Sequence, residues 1–198
     1  MNDPKKLLEE ATLYCTQLLK SHLPSSLVFH NYTHTRAVAK AALEIGTNSG
    51  LSEEELQALL VAAWFHDTGY CRKYKGHEDV SKELAAAFLH KQGAASSFQR
   101  QVASCIDATK QPQQPQNLLG QIICDADMSH LGSASFIKAS LKLKKELELV
   151  KGEHLSESDW HRQNLHFLQQ HNFFTTYAKV MYDPQKDKNI LKELQLLR

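Results

Sequence analysis

The sequence has no excess charge of either sign: 23 lysines and arginines face 22 aspartates and glutamates, a net charge of +1 at pH 7. Such a balance offers no extended electrostatic surface to a nucleic acid or an anionic membrane. It leaves room for a small phosphorylated ligand held by a few local basic residues. Cysteine is scarce and scattered, since Cys15, Cys71, Cys105 and Cys124 form no C-x-x-C pair and no zinc-ribbon spacing. Reduced thiols are the simplest reading. No apolar run approaches the roughly 20 residues of a membrane helix. The charged start MNDPKKLLEEATLYC lacks the apolar centre of a secretion signal. A soluble, cytoplasmic protein is expected. Period-2 alternation is missing, as are internal repeats and linkers long enough to divide the chain.

What is present is helix after helix. Asp3-Pro4 supplies a cap and a first-turn proline for a helix with Leu7, Leu8, Ala11, Leu18 and Leu19 on its apolar stripe. Thr33 to about Thr47 forms a second, stopped by Asn48-Ser49-Gly50. Ser52-Glu53-Glu54-Glu55 is a capping box opening LQALLVAAWFHD. A fourth helix spans about Glu78 to Lys91, and a fifth runs from Ser97 to Thr109, where QPQQPQN forces a loop. Helical patterns follow near 117–131, 133–150, 156–170 and 172–182, with a closing helix near Lys188–Leu197. An all-α single domain over the 198 residues is expected. That length buries roughly 70% of the unfolded chain's surface without disulfides.

Four segments place His or Asp at the edge of an apolar helix: HNYTHT (30–35), FHDTGY (65–70), KGHEDVSKELA (75–85) and ICDADMSHLG (123–132). Burying an unpaired carboxylate or imidazolium costs several kcal/mol, so such groups are normally paired or bound to a metal. Neighbours on a helix diverge by about 100°, so His66 and Asp67 can both reach one ion lying off the helix end. His34 and Asp127, from other helices, complete a two-nitrogen, two-oxygen set. Mixed ligands of this kind suit Mn, Fe, Co, Ni or Zn, with Mg also admissible, and leave room for water. Water on a divalent ion becomes a nucleophile near neutral pH.

The order H…HD…D, carried by His34, His66-Asp67 and Asp127, resembles the HD-domain superfamily of metal-dependent phosphohydrolases. HNYTHT, FHDTGY, GHEDVS, IDATK, DADMSHLG and the C-terminal ESDWHRQNLHFLQQHNFFTTYA extend the likeness to a predicted-phosphohydrolase branch, over about residues 25–185. The resemblance implies an all-α HD fold, with the outer helices packed on that core. It implies a phosphate ester or anhydride as substrate, a nucleotide above all. It also puts Asp127, rather than Asp125, on the metal, leaving Asp125 to cap the helix or orient a ligand histidine. Two-metal relatives carry extra histidines between the HD pair and the last Asp. Here the interval holds only His77 and His90, and IDATK stands in place of a His-His pair, so one ion is expected, with His77 leaving a two-metal site open.

The remaining assignments are graded by context. His77 and Glu78 sit at a helix start after Gly76, with Ser81 one turn on, where a phosphate is favoured. His77 is expected to donate to that phosphate or to the leaving oxygen, and Glu78 to orient or deprotonate water. With Asp67 they make the catalytic set. Lys110, Arg36, His30 and Ser81 are the candidate substrate contacts. His90 is read as a helix C-terminal residue. His130, His154, His161, His166 and His171 are read as surface or local-contact residues, and KASLKLKKELELVK as a solvated helix face. Within enzymes the rivals are an alarmone pyrophosphohydrolase or a cyclic-nucleotide phosphodiesterase. The former lacks its extra acidic pair, because Thr68-Gly69 follows HD. Outside enzymes the rival is a metal-bound nucleotide sensor or partner-binding module without turnover.

Overall fold

The computed structural model describes residues 4–152 and 154–198; the expected Asp3 cap lies outside them. Nine α-helices make up the fold among the described residues: α1 Pro4–His22, α2 Tyr32–Thr47, α3 Glu53–Phe65, α4 His77–Lys91, α5 Ser96–Ala108, α6 Leu118–Asp127, α7 Phe136–Lys151, α8 Glu157–Gln170 and α9 Thr176–Leu196. Two short 3₁₀ segments, Thr68–Cys71 and Met128–Gly132, follow α3 and α6, and no strand is present among the described residues. The chain separates into two compact units. One holds the residues up to Pro24 with His30–Asp127, the other Ser25–Phe29 with Met128–Arg198.

The first unit is built around α3. Its Ala58, Leu59, Leu60, Val61, Ala62, Ala63 and Phe65 are all buried, and a helix apolar on every side is one surrounded by others. It packs against α1, α2 and α5. Each buried Leu or Phe contributes about 1.5–3 kcal/mol, so this helix is anchored firmly. The expected capping box is present, with Ser52 and Glu55 bonded reciprocally. The apolar run ends at His66, whose backbone N–H still reaches Ala62 O.

In the second unit α9 packs against α8 and the Met128–Gly132 segment. Two helices were expected here, split by the stretch around Asp183-Pro184, yet one continuous helix runs through Pro184. Pro184 is on the exposed side of α9. The carbonyl it leaves unbonded belongs to Val180, itself 68% exposed, so water can serve that oxygen and the usual penalty is softened. The second half of α9 is held from its inner face. Asn189 Nδ2 donates to the carbonyls of Leu131 and Ser133, each at 2.8 Å. Lys186 Nζ donates to His171 O at 2.8 Å, and Glu193 Oε2 meets His161 Nδ1 at 2.6 Å.

Candidate metal centre

Three elements deliver the cluster. Asn31 caps α2 by accepting from Thr33 N at 2.9 Å, which fixes the first turn and places His34 on its inner side. The end of α3 delivers His66 and then Asp67, and the end of α6 delivers Asp127. His34 Nε2 lies 3.1 Å from Asp127 Oδ1 and 3.4 Å from Asp67 Oδ2. His66 Nε2 lies 3.2 Å from Asp67 Oδ2 and 3.7 Å from Asp127 Oδ1. Single ligand atoms of His34, His66 and Asp127 all fall within 4.8 Å of one another, a grouping that could hold a metal ion.

The donor chemistry fits such an ion. His66 Nδ1 donates to Ala63 O at 2.8 Å, so in the neutral ring the lone pair is on Nε2 and points into the cluster. Holding the far nitrogen in this way is how proteins fix a ligand histidine. His66 Nε2 and Asp67 Oδ2 are both buried without a hydrogen-bond partner. Their 3.2 Å separation is that of an ion pair, but its angles are not those of a hydrogen bond. Buried polar atoms are rarely left in this state. Two of them aimed at the same small space suit a cation that both can bind.

The electrostatics agree. Burial opposes a charge on His66, yet the neighbouring carboxylates of Asp67 and Asp127 outweigh it and raise the imidazole well above its ordinary pKa. Burial would likewise lift Asp67, but His66 and His77, with His30 behind them, hold it well below the usual carboxylate range. Asp127 is lowered by His34 and His66 against the same opposing effect of burial. Protons on the histidines and any cation would therefore compete for the same carboxylates.

Around this centre the HD turn is clamped. Thr68 Oγ1 donates to Phe65 O at 2.7 Å, and Gly69 N donates to Ser81 Oγ at 2.8 Å. A Cβ on Gly69 would stand 1.9 Å from the carbonyl oxygen of His77, so only glycine lets the turn meet the start of α4. Gly76, at φ +73°, makes the left-handed entry to that helix. His77 then directs Nε2 to 3.3 Å from Asp67 Oδ1, while Nδ1 donates to Tyr74 O at 3.2 Å. Glu78 Oε2 is 3.6 Å from His77 Nδ1, on the side of the ring away from Asp67.

The expected substrate contacts divide. His30 stacks on Tyr70 at 4.9 Å and meets His34 edge-on at 5.5 Å, so it joins the cluster's surroundings. Ser81 is fully buried and its hydroxyl accepts from Gly69; it holds the turn in place of the expected ligand contact. Arg36 is exposed, with its guanidinium 5.9 Å over the Tyr32 ring, which gives it a partner on its own helix. Lys110 Nζ sits 2.8 Å from Asp79 Oδ1 and 2.9 Å from Asp107 Oδ1, and Lys82 pairs with both of these carboxylates. Its positive charge is therefore already answered. Asp125 is fully buried and is not part of the three-residue grouping, which takes Asp127.

The sequence reading missed Tyr70. Its ring stacks with both His30 and His77, the latter at 3.7 Å and 14°. The signal available was an aromatic three residues after Asp67 inside the motif itself.

A family profile described as the HD domain matches residues 31–131, half of the chain, and the protein belongs to that family. Among solved structures, a protein of an uncultured Thermotogales bacterium, described as a predicted HD superfamily hydrolase, aligns with TM-score 0.66 and 20% identity over 96% of this chain and 90% of its own. A Lactobacillus plantarum protein aligns with TM-score 0.72 and 18% identity, over 96% and 94%. Bacillus subtilis YpgQ, solved in complex with ADP, aligns with TM-score 0.68 and 16% identity, over 98% and 94%. At these identities the likeness shows the fold. No curated protein matches the chain. No helix among the described residues is long and apolar enough to cross a membrane.

Proposed function

We propose that the protein is a metal-dependent phosphohydrolase that cleaves a phosphate ester or anhydride of a nucleotide, with one divalent transition ion held by His34, His66, Asp67 and Asp127. The observation that carries this reading is the pair of buried, unpartnered atoms, His66 Nε2 and Asp67 Oδ2, facing His34 and Asp127. The ADP bound to YpgQ supports a nucleotide. A divalent ion in this set would supply Lewis acidity, bringing the ionisation of water toward neutral pH. The chain's own part is positional. Tyr74 O holds the His77 ring through Nδ1–H. In the doubly protonated ring, its charge supported by Asp67, Nε2–H is the group that passes a proton to the leaving oxygen, and Nε2 is left with its neutral lone pair. Tyr70 keeps that ring in plane. Glu78, 3.6 Å from His77 Nδ1, is the carboxylate whose charge supports the protonated form of that ring.

The test is elemental analysis of purified protein, then phosphate release from a nucleotide panel with Mn, Fe, Co, Ni, Zn and Mg supplied in turn. Wild type should retain one transition ion per chain and release phosphate, and Asp67→Ala should lose both. Full metal content in Asp67→Ala would remove Asp67 from the ligand set. A metal-loaded protein silent on every nucleotide would favour the sensor reading.

A further inference from the structure

The second unit carries a cavity of ≈ 750 Å³ whose floor includes Ile137 and Leu141 and whose rim carries Lys138, Lys142, Lys145 and Lys192. No acidic side chain is among its lining residues. All four lysines are exposed, and none forms an ion pair with any described residue. This sets them apart from Lys82, Lys110 and Lys186, each of which lies within ion-pair distance of a carboxylate; Lys145 acts on Glu148 only from farther off. Leu141 is left 44% exposed between them.

The arrangement carries its own cost in the free protein. Lys138, Lys142 and Lys145 follow one another at spacings of four and three along α7, so like charges stand on one face over about 10 Å. Such pairs oppose helix formation by a few tenths of a kcal/mol each. Lys192, from α9, adds a fourth charge to the same lining. A large leucine held open to water inside a basic rim calls for a partner that is apolar along one line and acidic beside it. A small ligand would be left largely in water over so exposed a floor, whereas pockets for such ligands enclose most of their surface. A helix laid along α7 meets the floor and the rim together.

We propose that this groove docks an acidic amphipathic helix of a partner protein. The partner's apolar stripe lies on Ile137 and Leu141, and its Asp or Glu side chains reach Lys138, Lys142, Lys145 and Lys192. The proposal is independent of the catalytic reading, since none of these residues takes part in the His-Asp cluster.

The experiment is fluorescence anisotropy with the full chain and a labelled amphipathic helical peptide carrying a leucine stripe flanked by glutamates. Saturable binding is expected, with a Kd on the order of 1–100 µM, weakening as salt is raised. Leu141→Glu and Lys192→Glu, on different helices and both at exposed positions, should each weaken it by roughly tenfold or more, with circular dichroism and bound metal unchanged. Equal binding of a peptide whose glutamates are replaced by lysines would overturn the proposal. So would undiminished binding by both variants, or binding of phosphatidylglycerol vesicles with none of the peptide.

Discussion

In the unit built on α3, buried polar side chains gather at one place, the ends of α2, α3 and α6, and two of their atoms are left without hydrogen bonds. In the unit built on α9, most buried polar side chains are strung along a helix and answered within the chain, the His171 ring being an exception. Asn189 satisfies two carbonyls. Glu193 takes His161 Nδ1 on one oxygen and Asn164 Nδ2 on the other. Ser140 Oγ accepts from Trp160 Nε1 and Asn164 Nδ2. A satisfied network specifies packing, and a convergent set with open valences prepares a place for something else. Burial alone does not separate the two cases, since Glu193 is more deeply buried than Asp67. What separates them is whether each atom's partner is already in the chain.

That contrast can be broken by mutation. The largest effect is expected at Glu78→Gln, which keeps shape and removes charge: kcat should fall by about 10²–10⁴, with metal content and thermal midpoint nearly unchanged. Normal turnover would reduce Glu78 to a helix-start residue. In the other unit, Glu193→Ala leaves His161 and Asn164 without their acceptor and should cost about 3–5 kcal/mol in urea unfolding. Metal stoichiometry below the transition should not move; a metal loss there would mean that the two kinds of polar site are coupled.

His171 gives a finer test. Both its ring nitrogens are buried without partners. Burial first, then the Lys186 charge, depress its pKa to about 4. The folded pKa lies below the unfolded value near 6.5, so the neutral ring's contribution is fully present above about pH 6.5 and is lost as pH falls toward 4. The ring meets Phe173 edge-on at 4.7 Å, so His171→Phe keeps an aromatic and should flatten stability across that interval, as followed by urea midpoints at successive pH values. An unchanged pH profile would assign the acid sensitivity to another group. The smallest effect is expected at Lys110→Ala. Its carboxylate partners are half exposed, so stability should change by less than about 1 kcal/mol. A clear rise in KM for an anionic substrate would return Lys110 to the ligand pocket in spite of those partners.

Much of this was legible in the chain because it is written locally. The α3 capping box, the stop after α2 and the loop after α5 depend on residues that are near neighbours, and helix type follows from apolar spacing. The convergence of His34, His66-Asp67 and Asp127 could be inferred because each stands at the edge of an apolar helix and their order matches the HD pattern. Other features depend on what arrives from elsewhere. Pro184 reads as a helix end, and only Leu131, Ser133 and His171, supplying carbonyls to α9 from other segments, make it a helix interior. Lys110 reads as a free cation until Asp79, on α4, is seen beside it. His161 and His171, which read from their polar neighbours as surface or local-contact residues, are drawn in by contacts with α9. Ser81 was placed correctly on its helix, but its hydroxyl was assigned to a ligand when the backbone of Gly69 had claimed it.

The bond from His66 Nδ1 to Ala63 O spans three residues of a single helical turn. A tautomer that many sites obtain from a distant carboxylate is obtained here from secondary structure alone. Helix formation takes less than a microsecond or so, far ahead of the assembly of four segments. The imidazole is thus oriented by the helix that carries it, without help from His34 or Asp127.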